Sequence, residues 1–339
     1  MKTLKTFSFP SKMKALVLHK YDTDPVLEEI EVPRPGKGEV LIKMDSSPVN
    51  PSDLSFLKGM YSTKKKTPVV PGFEGSGIVV ATGDDLMSKR VLGKPVSCFA
   101  PTDGNGTWAE FMMTRSNSVI PLKKNVDMEQ ASMLLVNPLS AYAMIQIAKS
   151  KRSKAILNTA AASQLGQMMI RLSREENLPI VNIVRRQDQV DMLKNVGAEH
   201  VLNSTEKDFA DQLMKICNQL KVSLAFDAIA GDMTFQLLEA LPSGGEVMVY
   251  GGLSEKPAMI DPGKLIFQKK SVSGFWLSEW ITHQGMIRLL FIFNKIQKFI
   301  GDKYRSSIYK RVSLKDTMEG VKSYNEKMSL GKILIKPGE

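Results

Sequence analysis

Five short apolar runs, each followed by a stretch of helical periodicity, fill the chain after Asp127, and this alternation constrains the fold more than any other feature. The runs are residues 155–159, 179–184, 200–203, 224–229 and 246–250, and helices are expected between them near 164–176, 187–196, 206–220 and 233–240. A strand covered on both faces reads as a continuous apolar run. Parallel neighbours need a crossover connection, so strand–helix alternation predicts most of a doubly wound parallel sheet.

Upstream the pattern differs. Between residues 14 and 113, short β-like runs at 15–18, 40–44, 77–81 and 96–99 are separated by Pro33-Arg34-Pro35-Gly36, Pro71-Gly72 and Asp103-Gly104-Asn105-Gly106, with no convincing amphipathic helix. That describes an all-β or barrel-like domain. From about Tyr304 the chain is β-like again, with a helix near 314–328 and a last strand at 332–336, as expected of a tail returning to the first domain. The expected division is therefore 1–130 with 305–339, and 131–304.

Composition narrows the function classes. The 339 residues are 43% apolar, enough for two ordinary domains. No run is long enough to span a bilayer; the nearest, 286–300, is broken by Arg288, Asn294, Lys295, Gln297 and Lys298. Lys and Arg total 46 against 35 Asp and Glu, which favours anionic partners. The basic residues are dispersed, with one short run at Lys64-Lys65-Lys66 and no interleaved aromatics, so nucleic acid is not expected. Cys98 and Cys217 are the only cysteines, too few for a disulfide framework and in keeping with a reducing compartment. Lys2, Lys5, Lys12, Lys14 and Lys20 with Ser8 and Ser11, and no acid, give a basic start like that of a mitochondrial targeting segment. Arginine is missing there and a strand-like run begins at Met13, so a cytoplasmic location stays open beside a mitochondrial one.

The first run of the alternating region leads into Ala160-Ala161-Ala162-Ser163-Gln164-Leu165-Gly166 and then a helix. Free backbone N–H groups and the helix dipole at such a turn bind phosphate. Of the three-glycine dinucleotide fingerprint only Gly166 is present, with Ala162 and Gln164 at glycine positions, so an ordinary strand-to-helix turn is the competing reading. The second run ends in Arg185-Arg186-Gln187, without the acid that holds a ribose hydroxyl in NAD-binding chains. Two guanidinium groups there predict the 2'-phosphate of NADPH, against the alternative of two solvated arginines opening a helix. Cations in a first helical turn oppose the macrodipole, which favours an anion nearby.

With these pieces placed, the chain resembles the medium-chain dehydrogenase/reductase superfamily, and within it the quinone oxidoreductase and mitochondrial-type trans-2-enoyl thioester reductase branches. The resembling segments are Asn50-Pro51-Ser52-Asp53, Gly59-Met60-Tyr61, Pro71-Gly72-Phe73-Glu74-Gly75-Ser76-Gly77, Asn137-Pro138-Leu139-Ser140-Ala141-Tyr142, Gly197-Ala198-Glu199-His200-Val201 and Tyr250-Gly251-Gly252. The stretches Leu265-Ile266-Phe267 and Gly274-Phe275-Trp276-Leu277-Ser278 are similar to the enoyl reductases. The resemblance implies a GroES-like barrel domain joined to a Rossmann domain. Zinc-dependent members bind metal through a Cys at the Asn50 position and a His at the Phe73 position; with both absent, no zinc is expected.

The resemblance also implies site roles. Tyr61 would be the proton donor, although a loop aromatic packed in the site is the plain alternative. Asn137 would lie near the nicotinamide, Ala162, Ser163, Gln164 and Leu165 at the pyrophosphate, and Arg185, Arg186 and Gln187 at the 2'-phosphate. Tyr250, Gly251, Gly252 and Leu253 with Phe275, Trp276 and Leu277 would line the nicotinamide half, and Lys332 would reach a phosphate. Gln164 departs from the glycine common in the enoyl reductases. The expected activity is NADPH-dependent reduction of an activated C=C, foremost a 2-enoyl thioester on coenzyme A or acyl carrier protein. Quinone reduction and a non-catalytic subunit of a larger assembly are the alternatives, and a homodimer is expected.

Overall fold

The computed structural model describes residues 9–62, 64–124, 126–302 and 305–339, apart from the side chains of 299–302 and 325–327. Lys2, Lys5 and Ser8 of the basic start, and Tyr304, lie outside the described residues. The chain forms two compact units, one running to Val136 and resuming at Leu290–Glu339, the other Asn137–Leu289.

The first unit opens with an antiparallel pair, β1 (Lys12–Val17) and β2 (Val26–Glu31). The ten-residue β3 (Glu39–Pro48) is its spine, since β4 (Glu74–Thr82) and β6 (Phe111–Arg115) both pair with it; β5 (Pro95–Phe99) and β7 (Val119–Pro121) extend the sheet beyond β4. Register shifts between Leu41 and Ile42 and between Met44 and Ser46 bend β3, the usual device for curling a sheet. Ala15, Leu41, Val70, Trp108 and Ile333 are buried in its core.

Three short helices interrupt these strands: α1 (Pro51–Leu57), α2 (Leu86–Lys89) and α3 (Met128–Ser132). The first two fall where no helix was expected, because seven and four residues are too few to display an apolar stripe. Their caps define them instead. Asn50 and Asp53 form a reciprocal capping box on α1, and Asp85 accepts from Ser88 N at 2.9 Å on α2.

The second unit is the predicted parallel sheet. It begins with α4 (Val136–Ser150), buried almost all round and so without the one-sided periodicity that sequence reading relies on. There follow β8 (Ile156–Asn158), α5 (Gln164–Glu175), β9 (Ile180–Val184), α6 (Gln187–Asn195), β10 (His200–Asn203), α7 (Phe209–Leu220), β11 (Leu224–Asp227), α8 (Asp232–Ala240) and β12 (Glu246–Val249). A sixth strand, β13 (Ser271–Gly274), escaped the sequence reading because Ser-Val-Ser-Gly has a single branched apolar residue. It lies between α9 (Pro262–Gln268) and α10 (Leu277–Thr282). All strand pairs are parallel, in the order β10-β9-β8-β11-β12-β13.

The chain returns to the first unit through α11 (Met286–Asp302), β14 (Ile308–Ser313), α12 (Thr317–Lys327) and β15 (Lys332–Lys336). β15 pairs antiparallel with β3 at Leu334–Pro48 and Ile335–Ser47, and β14 lies parallel to β15 at the edge. The division thus falls at 136/137 and 289/290, where periodicity had suggested 130/131 and 304/305. Hydrogen bonds explain the difference: Ser76 and Ser97 hydroxyls hold the Met128 and Ala131 carbonyls at 2.6 and 2.7 Å, and Gln297 accepts from Lys123 N at 2.9 Å. Among the described residues no helix is long and apolar enough to cross a membrane.

The returning strand completes a buried polar network. Lys332 is 2% exposed, donates to Asn50 Oδ1 and to Val49 O, and lies over the Tyr324 ring. Asn50 Nδ2 donates to Glu74 Oε1 at 3.0 Å, while Glu74 Oε2 accepts from Leu135 N and Val136 N at 3.0 and 2.9 Å. This corrects the expectation that Lys332 reaches a phosphate: its ammonium is enclosed and committed to α1. Sequence position alone could not show that burial.

Asp53 belongs to the same network, accepting from Asn50 N at 2.7 Å on one oxygen while its other oxygen is buried with no hydrogen-bond partner. Burial pushes its carboxyl up to about 7 from 3.8, against the Asn50 amide and the Lys332 charge, which pull it down. A carboxyl whose folded value is raised stabilises the fold fully at pH below its unfolded value and loses that contribution as pH rises through the folded value. Asp53→Asn keeps an acceptor for Asn50 N–H and removes the titration. Thermal unfolding should therefore show the variant gaining on the parent from about pH 4 to about pH 7, by up to a few kcal/mol; a pH-independent difference would contradict this.

Candidate active site

In the second unit, β8, β9 and β10 wind to one side and β11, β12 and β13 to the other. Between β8 and β11 the connections diverge, leaving a crevice at the carboxyl ends where open α/β sheets take their ligands. The sequence-predicted residues gather along that edge: Ala162, Ser163, Gln164 and Leu165 follow β8, Arg185, Arg186 and Gln187 follow β9, Tyr250, Gly251, Gly252 and Leu253 follow β12, and Phe275, Trp276 and Leu277 follow β13. Asn137 opens α4, whose other end leads by a short connection into β8.

The turn after β8 is tight. A Cβ on Gly166 would lie 2.4 Å from the Ala161 carbonyl oxygen, so glycine is required where α5 packs against the turn. Ala160 adopts φ +48°, a left-handed conformation that costs a non-glycine residue about 1–2 kcal/mol. Ser163 caps α5, its hydroxyl accepting from Gly166 N at 3.1 Å, and Gln164 is buried rather than standing across the turn. The amides of Gln164 and Leu165 sit in the first turn of α5, at its N-terminal end. A close-packed turn opening a helix N-terminus fits a pyrophosphate despite the substituted glycines.

The two arginines are unequal. Arg186 directs Nε to Asp188 Oδ1 at 3.0 Å, so an acid within its own helical turn already occupies its fork. Arg185 is exposed, its amide donates to Gln189 Oε1 at 3.2 Å, and its guanidinium makes no hydrogen bond among the described residues. Of the pair, Arg185 has the donors to spare for an anion.

One feature of this edge was not anticipated. Asp227, fully buried at the end of β11, accepts from Thr159 Oγ1, Ile229 N, Ala230 N and Thr234 Oγ1 at 2.7–3.3 Å, and Thr159 Oγ1 in turn accepts from Ala228 N at 2.8 Å. This knot fixes β8 to β11 at the crevice and holds Ala230 and Gly231 at φ +62° and +60°. An Asp between a strand and Ala-Ile-Ala-Gly carries no distinguishing pattern in the sequence. Beside it, the Tyr250 hydroxyl is buried without a partner, and burial with the nearby Asp227 pushes that phenol well above the tyrosine range. Tyr250 is thereby a poor proton donor.

In the first unit, Tyr61 follows α1 and is partly buried, its ring 4.8 Å from that of Phe73. Phe56 meets Phe73 edge-on at 5.6 Å, and Tyr21 meets Phe56 at 5.5 Å. Tyr61 is thus held by an aromatic ladder, which suits both a packing role and an oriented phenol. Phe73 and the fully engaged Asn50 offer no metal donors, and among the described residues no three His, Cys, Asp or Glu side chains cluster to hold a metal. Burial pushes Cys217 up to about 12 and Cys98 higher still, so neither thiol is poised as a nucleophile.

Comparison with known proteins places this geometry. Residues 36–124 match the alcohol dehydrogenase GroES-like domain, and residues 165–291 match the zinc-binding dehydrogenase family. The mitochondrial enoyl-[acyl-carrier-protein] reductase of Bos taurus is 31% identical over 280 residues, spanning 80% of this chain and 74% of that protein. A Caenorhabditis elegans protein of the same description is 32% identical over 256 residues, 74% of this chain and 72% of its own length. The crystal structure of a candidate NADPH:quinone reductase from Mesorhizobium loti is 35% identical, with a TM-score of 0.92 over 98% of this chain and 100% of that one. The domain pair, the sheet order and these relatives agree, and the chain belongs to the medium-chain dehydrogenase/reductase superfamily of oxidoreductases.

Proposed function

We propose that this protein reduces the C=C bond of a 2-enoyl thioester, carried on coenzyme A or acyl carrier protein, with NADPH. The first unit is the catalytic GroES-like domain and the second the dinucleotide domain. The observation that chiefly supports this is the carboxyl edge of the parallel sheet, where the β8 turn, Arg185 and the 250–253 and 275–277 segments leave their strands on the side where open α/β sheets take ligands. The enoyl reductase relatives support the substrate.

The Gln164 and Leu165 amides would hold the pyrophosphate and Arg185 the 2'-phosphate, with Arg186 and Gln187 flanking it. Asn137, Tyr250–Leu253 and Phe275–Leu277 would border the nicotinamide. Bound NADPH supplies the hydride that the β-carbon receives. Tyr61 holds the proton: its O–H bond breaks as a C–H bond forms at the α-carbon, leaving a phenolate that water reprotonates. A phenol with an ordinary pKa of about 10 is a weak acid, so its surroundings must assist it. The mitochondrial description of the relatives and the basic start of the chain support a mitochondrial location.

Quinone reduction is the second reading, favoured by the 35% identity to the Mesorhizobium loti protein. It needs no carbon protonation, which separates the two. With crotonyl thioester and NADPH, the parent should oxidise the nucleotide and Tyr61→Phe should lose on the order of 10²–10⁴-fold in kcat, the range of general acid catalysis. Fast quinone turnover, indifferent to Tyr61→Phe and without enoyl turnover, would select the second reading.

The inequality of the arginines makes a further expectation. Arg185→Ala should weaken NADPH binding by roughly ten-fold or more while sparing NADH, consistent with the loss of one charge-assisted contact; Arg186→Ala should do less. Fluorescence titration of both nucleotides measures this, and equal losses for NADPH and NADH would refute the phosphate assignment.

A homodimer is proposed from the open edge of the sheet. Among the described residues β13 has one neighbour, β12, and it is flanked in sequence by Ile266, Phe267 and Trp276, which are 67%, 83% and 44% exposed. Unpaired strand groups beside exposed apolar side chains are satisfied by a second copy across a two-fold axis. Light scattering should give twice the 37.6 kDa chain mass, and Phe267→Glu should return it to the single mass. A parent that runs at the single mass would dispose of the idea, and a far larger mass would point to a bigger assembly instead.

A further inference from the structure

The run Lys64-Lys65-Lys66 reads as a solvated patch, yet its middle member is 6% exposed while its neighbours are exposed. Lys65 is held inside at both ends. Its backbone N–H donates to the Tyr21 hydroxyl at 2.8 Å and its carbonyl accepts from that same hydroxyl at 2.7 Å, so one phenol clamps both sides of the residue. Its ammonium donates to Gly104 O at 2.8 Å, the single acceptor it has among the described residues, and stands 5.9 Å from the centroids of both the Phe56 and Phe73 rings.

A buried ammonium with one acceptor and two aromatic faces is a costly arrangement to keep for packing alone. The Phe73 ring also carries Tyr61, whose centroid is 4.8 Å from it, so the ammonium lies within about 11 Å of the Tyr61 ring. The geometry points to Lys65 as a positioning residue that sets the acidity of Tyr61 by fixing a positive charge behind Phe73. This rests on the proposed role of Tyr61 as proton donor. No proton leaves Lys65: the Tyr61 O–H bond breaks, the α-carbon takes the proton, and the ammonium stabilises the phenolate left behind. At that separation in a protein interior, a unit charge lowers a phenol by roughly one pH unit.

The charged and titratable groups facing Lys65 are Asp53 from α1, Asp103 from the 101–107 loop, the Tyr21 phenol, and Tyr61 across Phe73; behind Asp53 stand Glu74 and Lys332. Burial pulls the ammonium down to about 8, with Asp53 and Asp103 holding it up. The charge is therefore present below about pH 8 and lost above it, and the assistance to Tyr61 should fade over the same range.

Two measurements test this on the full chain. In the first, the phenolate absorbance of Tyr61, isolated as the difference between a protein and its Tyr61→Phe counterpart, is titrated in the parent, Lys65→Met and Lys65→Arg. The midpoint should stay near the parent value in Lys65→Met, because the parent ammonium is already neutral where a phenol ionises, and fall by roughly one unit in Lys65→Arg, whose charge persists; an unmoved midpoint in Lys65→Arg overturns the inference. In the second, kcat for crotonyl thioester should decline above about pH 8 in the parent and hold to higher pH in Lys65→Arg. Lys65→Met should lower kcat by about ten-fold at neutral pH with little change in KM. Identical pH profiles in parent and Lys65→Arg overturn it as well. If Tyr61→Phe keeps full enoyl turnover, the donor reading falls by itself, and the titration alone then decides whether Lys65 governs the phenol.

Discussion

A parallel sheet that winds outward in both directions from two central strands must leave its connections diverging at one place, and that place organises the second unit. Here it lies between β8 and β11. The knot of Asp227 with Thr159, Thr234 and three backbone amides satisfies the polar groups the divergence exposes. With that seam fixed, the turn after β8 can be as tight as Gly166 permits, and the exits of β9, β12 and β13 face the same crevice. The strain at Ala160 shows that the turn is imposed by its surroundings rather than chosen by its own residues.

The first unit solves a different problem, that of keeping charges out of water. Glu74 spends one oxygen on Asn50 and the other on two successive amides, and Lys332 closes the chain of contacts. Where zinc-dependent relatives gather metal donors, this chain has an amide, an aromatic ring and an enclosed ammonium. Positive charge is still present near the aromatic ladder, now carried by lysine side chains whose donors are fixed by the fold.

Much of this was legible in the sequence, for identifiable reasons. Four of the strand–helix alternations lie within a residue or three of their predicted bounds because fully buried strands and one-sided helices leave strong periodic patterns. β13 and α4 were invisible because the first is nearly all Ser and Gly and the second is buried on every side. The residues after β8 and β9 could be gathered from the order of elements, since topology dictates where strand exits fall, whereas Tyr250–Leu253 and Phe275–Leu277 came only from the family resemblance. Lys332 and Lys65 could not be read correctly: lysine is ordinarily exposed, and only tertiary contacts reveal that these two are enclosed. Nor does Arg185-Arg186 disclose in one dimension that Asp188 claims one of the pair.

The pairing of β15 with β3 has a consequence for how such a chain comes to be built. Residues 137–289 form one continuous stretch and can condense as soon as they are made, whereas the first unit awaits partners nearly 300 positions downstream. During synthesis, Asn50 and Glu74 therefore emerge long before Lys332, which donates to the first and whose charge opposes that of the second. Until β15 is made, β3 lacks that pairing at Ser47 and Pro48, and the backbone groups there stay open to water.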